Sequence, residues 1–230
     1  MTSRVFGRSR VLRLGAVGVA IVATVALSQM TASGSFTGVT GSATNRASSA
    51  ATFCTEEPDT LHSTGDSWTD ESDPTTNHLS DLDLRVRSGS STSTAPGTRR
   101  HIWIGFDLPP NPDPAHCQII RAELSLYNKL SVSGRYIDVY RATATWTAAT
   151  VLWSNEPTYE GPVATATAPT GGEGWQHWTV PPQVLAQYTV GSYGFLLRDR
   201  AENTEPTAYE QVYYDQQNAI YAPQLVLTWG

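Results

Sequence analysis

The stretch His101-Ile-Trp-Ile-Gly-Phe-Asp-Leu108 decides how the chain is read: Ile102, Ile104, Phe106 and Leu108 alternate with His101, Trp103, Gly105 and Asp107. An apolar residue at every second position turns one face of an extended strand toward a core and the other toward solvent. The same period recurs on both sides of it. Leu82, Leu84 and Val86 alternate with Asp83, Arg85 and Arg87, and Ala122, Leu124 and Leu126 alternate with Arg121, Glu123 and Ser125. Ile137 and Val139 sit between Tyr136, Asp138 and Tyr140, and Leu225, Leu227 and Trp229 alternate with Val226 and Thr228. Further strands are expected at Gln176 to Val180, Ser192 to Arg198 and Tyr209 to Tyr214, with Pro, Gly, Asn and Asp between the runs. Only Pro181 to Tyr188 (PPQVLAQY) suits a short helix, with Pro in its first turn. Roughly ten strands and one short helix predict an all-β protein, an antiparallel two-sheet jelly-roll β-sandwich.

Composition agrees with a packed β domain. Of 230 residues, 40% are hydrophobic and 10% aromatic, enough to fill a core, so the chain is not disordered for most of its length. No heptad pattern supports a coiled coil. At the N-terminus, Arg4, Arg8, Arg10 and Arg13 precede an uncharged apolar run from Leu14 to Leu27, followed by small residues. That layout predicts a signal peptide over 1–34, because a run this short falls below the roughly 20 residues a spanning helix needs. Residues 35–53 read as a flexible Ser/Thr/Gly/Ala-rich linker, and 54–230 as the sandwich domain. The expected location is secreted, extracellular or cell-wall associated, with no membrane attachment after cleavage. Past residue 34, eleven basic residues face 21 acidic ones, and one Lys (Lys129) stands against a preference for Arg. A duplex nucleic acid partner needs a basic footprint, so nucleic acid is excluded. Outside the cell thiols pair, and Cys54 and Cys117 are the only two, so a disulfide is expected.

Three groups of residues carry candidate chemistry. Gly65-Asp66-Ser67 with Asp113-Pro-Ala-His116 imitates a hydrolase block, but that architecture needs a parallel sheet with helices. No catalytic residue is therefore assigned, and the protein is not expected to be an enzyme. Asp66, Asp70 and Asp73 are hard oxygen donors in one short segment, which makes structural calcium the single candidate cofactor. The third group is aromatic. Trp103 and Tyr127 fall on the polar phase of their strands, and Trp175 and Trp178 sit in a Gly-rich turn. Outward rings of this kind stack on sugars, while Arg85, Arg87 and Arg121, outward by alternation, bond hydroxyl or carboxylate groups. Of the adjacent Tyr213 and Tyr214, one must point away from the core.

The segments DSWTDESDPTTNHLSDLDLRVRSG (66–89), RRHIWIGFDLP (99–109), CQIIRAELSLYN (117–128) and VYRATATWTAATVLWSNEPT (139–158) form an ordered series. GWQHWTV (174–180), YGFLLRDRAENTEP (193–206) and PQLVLTW (223–229) complete it. In this order they resemble the secreted DNRLRE domain, which is similar to carbohydrate-binding module family 96, and WSNEPT resembles that family's W-x-N-x-P hallmark. The resemblance implies a jelly-roll β-sandwich, secreted or attached to the cell surface, that binds polysaccharide without cleaving it. It also implies Arg85, Arg87, Arg99, Arg100 and Arg121 as candidates for an acidic polysaccharide, which the net −10 beyond residue 34 opposes. The expected function is thus a secreted non-catalytic module whose partner is extracellular polysaccharide or the cell-wall surface. The alternative is a structural or adhesive surface protein with no specific glycan.

Overall fold

Alternation along His101–Asp107 becomes a strand whose two faces meet different neighbours. The computed structural model describes residues 54, 56–90, 98–170, 172–185, 194–202 and 204–230. The expected signal peptide and linker lie outside the described residues. In chain order the strands are β1 (Asp59–His62), β2 (Gly65–Asp70), β3 (Asp83–Ser88), β4 (Arg99–Gly105), β5 (Ile119–Leu130) and β6 (Tyr136–Ala142). They continue as β7 (Tyr159–Thr167), β8 (Gly174–Val180), β9 (Phe195–Asp199), β10 (Glu210–Tyr214) and β11 (Gln224–Trp229). A 3-10 turn at Trp153–Asn155 and the helix α1 (Pro182–Leu185) are the helical pieces among the described residues. None of these is long and apolar enough to cross a membrane.

Every pairing is antiparallel, in the order β1-β11-β5-β10-β3-β4-β9-β6-β7, with β2 added to β4 and β8 added to β5. β4 carries β2 along one edge and shares the other between β3 and β9. β5, twelve residues long, likewise carries β8 on one edge and β11 then β10 on the other. The sheet therefore folds over itself. One layer is β1-β11-β5-β8, the other is β2-β4-β9-β6-β7, and the β3–β10 ladder joins them. This is an antiparallel all-β sandwich of jelly-roll type.

Inward residues of both layers form one core. Trp68, Ile102, Ile104, Ile137, Val139, Phe195 and Leu197 meet Leu124, Leu126, Trp178, Leu225 and Leu227. Each large apolar side chain buried there contributes about 1.5–3 kcal/mol relative to exposure. Cys54 and Cys117 are disulfide-bonded with Cα atoms 5.0 Å apart, which ties the segment before β1 to the approach to β5. Gly194 has φ +74°, and a Cβ there would lie 2.0 Å from the Ile104 carbonyl oxygen. Only glycine lets the chain entering β9 come that close to β4.

The expected short helix is present at Pro182–Leu185, and residues 186 to 193, expected to continue it and to open β9, lie outside the described residues. Two expectations are corrected. Trp103 does not face solvent. It is fully buried with Ala142, Val151 and Leu196, under Trp146 and Tyr159, because the 143–158 connection folds across that face of β4. Trp178 is fully buried in the main core, its indole N–H donating to the Ile137 carbonyl at 2.8 Å. Neither ring can stack on a sugar in this fold.

Candidate functional site

The outer face of the β5 layer gathers aromatic rings from four separate places in the chain. Tyr127 points outward from β5 and stands across from Trp175 of β8 in register. Tyr214 ends β10, where Tyr213 turns into the core and leaves its neighbour outside. Tyr221 comes from the turn before β11. Tyr127 is central: its ring centroid lies 4.1 Å from Tyr221, 5.5 Å from Trp175 and 5.9 Å from Tyr214. Tyr214 and Tyr221 stack at 5.2 Å. All four rings are half-buried, so each packs one side on the protein and offers the other to solvent.

Polar groups close both ends of this strip. At one end the Lys129 ammonium lies 4.6 Å from the Tyr214 ring and pairs with Asp83, which also takes an Arg85 bond at 3.2 Å. At the other, His177 stacks 6.4 Å from Trp175, shares a 2.8 Å hydrogen bond with Ser125 and lies 3.1 Å from Glu123. Partial desolvation, then the nearby Tyr221, hold the Tyr127 phenol above its ordinary pKa, so it stays a neutral hydrogen-bonding hydroxyl. The surface thus combines flat apolar area with donors and acceptors on its rim, the pairing that sugar rings present from their own side.

Of the residues expected to bind ligand, Tyr127 and Trp175 are brought together and Arg85 stands at one rim. Arg121 pairs with Glu123 at 2.8 Å and lies six residues from Tyr127 along β5, roughly 20 Å at strand rise. Arg87 sits beyond Arg85 on β3, opposite Glu210 and four register positions from the Asp83–Tyr214 pair. Lys129, Asp83 and Tyr221 join the site without having been expected. Alternation placed Asp83 outward, and Lys129 follows Tyr127 by two residues on the same face of β5, but nothing in a loop sequence such as NAIYAPQ marks Tyr221 as part of a sheet face.

The expected calcium set does not assemble. Asp66 and Asp70 are four residues apart on one strand, about 13 Å. Asp70 is committed to Arg100 at 2.9 Å and to Ser72; burial would raise its carboxyl, but Ser72 and Arg100 outweigh it and leave the group below its usual range. Asp73 is exposed beyond the strand end. Among the described residues no group of three or more His, Cys, Asp or Glu side chains is arranged to hold a metal ion.

A second polar cluster lies under the 143–158 connection. His101, buried on β4, is held at Nδ1 by Glu156 (2.9 Å) and at Nε2 by Glu202 (2.8 Å). Burial lowers its pKa, but the two carboxylates outweigh this and raise it above the ordinary value. Glu202 also pairs with Arg198, whose other bond reaches the Tyr159 hydroxyl at 2.8 Å. Trp153 packs 4.5 Å from the His101 ring. Asn155 closes the turn, accepting from the Leu152 N–H at 2.7 Å and donating to the Thr150 carbonyl at 3.0 Å. The Trp153-Ser-Asn-Glu-Pro157 string is therefore a clamp: Asn155 shapes the turn, and Trp153 and Glu156 dock it on His101. Its carboxylates are committed to internal partners, and the cluster fastens the connection that covers Trp103.

The sequence model of carbohydrate-binding module family 96 matches residues 57–229, nearly all of the sandwich. The chain belongs to carbohydrate-binding module family 96. Both the aromatic strip and the His101 clamp fall inside the matched span of this family-96 domain. A comparison with curated proteins finds no match.

Proposed function

We propose that this family-96 chain is a non-catalytic module that binds polysaccharide outside the cell, through the outer face carrying Tyr127, Trp175, Tyr214 and Tyr221. One observation carries the reading: four half-buried rings from four chain segments share one exposed face, with Lys129, Asp83 and Arg85 at one rim and His177 at the other. Contiguous apolar surface rimmed by polar groups marks a binding site, and aromatic faces meet the C–H faces of sugars while rim groups bond the hydroxyls. The rim is mixed in sign, and Arg85 and Lys129 share Asp83. A largely neutral polymer suits it better than a strongly anionic one. The disulfide fits an oxidising extracellular setting.

The test is retention of the purified chain on a panel of insoluble and gel-embedded polysaccharides. Tyr127→Ala and Trp175→Ala are each expected to weaken retention about tenfold, or about 1.4 kcal/mol. Tyr136→Ala, an exposed ring on the opposite layer, is expected to leave it unchanged. Retention on no polymer by the folded chain would overturn the reading in favour of a structural surface protein. Retention indifferent to Tyr127 and Trp175 would overturn the choice of face.

A further inference from the structure

Two aspartates near β2 and β10 are buried without an Arg or Lys ion pair among the described residues. Asp66, near the start of β2, and Asp215, directly after β10, are each 3% exposed. The Gln216 N–H donates to Asp66 Oδ2 at 2.8 Å, which draws the turn after β10 onto β2, and the Ser63 hydroxyl donates to the same oxygen at 3.2 Å. Asp215 Oδ1 accepts from the Gln217 N–H at 3.1 Å. Its Oδ2 is buried and has no hydrogen-bond partner. Elsewhere Asp70, Asp83, Asp138 and Asp199 each pair with an Arg or Lys. Among the described residues Asp66 and Asp215 do not. The charged neighbours they feel are acidic: Asp215 for Asp66, and Asp83 for Asp215.

A buried carboxylate pair without a counter-charge is costly, and it is relieved either by a proton or by a cation. We propose that Asp66 and Asp215 are the anionic ligands of a calcium ion that joins β2 to the turn after β10. The donors are all hard oxygens, which suits calcium rather than zinc or copper. Calcium accepts a shell completed by neutral oxygens, such as the Ser63 hydroxyl, backbone carbonyls and water, so two carboxylates suffice. Asp215 Oδ2 supplies the unused acceptor such an ion needs. The site shares only Asp66 with the Asp66–Asp70–Asp73 set. It takes its second acid from a distant segment that the fold brings alongside. It stands whether or not the aromatic strip binds glycan.

The experiment is calorimetric titration of calcium chloride into the purified, chelator-stripped chain at about pH 8, well above the ordinary carboxylate range. Thermal unfolding is then recorded in calcium and in EDTA. The expected result is one-site binding and a midpoint several degrees higher in calcium, since a ligand that binds only the folded state stabilises it. Asp215→Asn and Asp66→Asn are expected to lose both signals, while Asp73→Asn keeps them. No heat and no midpoint shift in the unmutated chain would overturn the proposal. So would a normal calcium response in Asp215→Asn. The titration of the unmutated chain needs no variant, so a misfolded substitution leaves the test standing.

Discussion

Trp103 and Trp175 are both indoles on strands of this sandwich, and they differ in what their rings touch. Trp103 is enclosed by Ala142, Val151 and Leu196, whereas Trp175 keeps one side in solvent beside Tyr127. Truncation should separate the two roles. Trp103→Ala is expected to cost about 4 kcal/mol of unfolding free energy, the usual penalty for emptying a buried aromatic site. Trp175→Ala is expected to change stability by under about 1 kcal/mol while lowering polysaccharide retention. Urea unfolding of both variants checks this, and equal stability losses would contradict the assignment of the two rings. Alternation placed both residues outward or near a turn, and half of that was legible. A strand's own period reports which side a residue takes, but not whether a distant segment later covers that side.

At the scale of the element, the 143–158 connection is fastened by charge more than by regular structure. Its docking partner is His101, faced by Glu156 from the connection itself and Glu202 from the turn after β9. Arg198 on β9 pairs with Glu202, and Glu71 and Arg99 pair with each other nearby. His101 has a folded pKa raised above its usual value, so it binds its proton more tightly folded than unfolded. Its contribution is full below the unfolded pKa, about 6.5, and is lost as pH rises through the higher folded value. Glu202 runs the other way: burial would raise it, but His101 and Arg198 hold it below its usual value, so its contribution is lost on acidification. His101→Gln should therefore cost about 3 kcal/mol in mildly acidic solution, and the gap to the unmutated chain should narrow in alkali. Urea midpoints of the two proteins across that range measure the gap. A gap independent of pH would show that His101 acts by packing alone. The WSNEPT string was visible in sequence, but its partner was not, because His101 lies far upstream and reads as one polar residue in an alternating strand. Three strands were likewise missed. β1 is only four residues long and, among the described residues, pairs with β11 alone. β2 is buried along both faces and so shows no period, and β7 holds Pro162, which marks an edge position.

For the whole molecule, the single covalent cross-link joins residues 63 positions apart. Closing a loop of that length restrains the unfolded chain by about 4 kcal/mol on the chain-entropy estimate. Replacing Cys54 and Cys117 together with Ser is expected to lower unfolding free energy by roughly that amount. Polysaccharide retention should survive, since Cys117 precedes β5 and Tyr127 lies near the far end of that twelve-residue strand. Denaturation of the double variant, followed by the retention assay, tests both halves. Loss of retention in a folded double variant would tie the site to the cross-link.

Sequence by itself determined the architecture and the cysteine pair. Period-two alternation is a local property, so it survives reading one strand at a time, and two lone cysteines leave only one partner each. Family membership was legible for a similar reason, since the order of seven weak segments is preserved along the chain. The site was a tertiary decision. Tyr127, Trp175, Tyr214 and Tyr221 become one surface only because β5 is flanked by β8 on one edge and by β10 and β11 on the other. The tertiary fold likewise buried Trp178 in the main core, laid the 143–158 connection over Trp103, and drew the turn after β10 onto Asp66. Proximity between segments distant in sequence is written in strand order and register, and neither can be read from the period of a single strand.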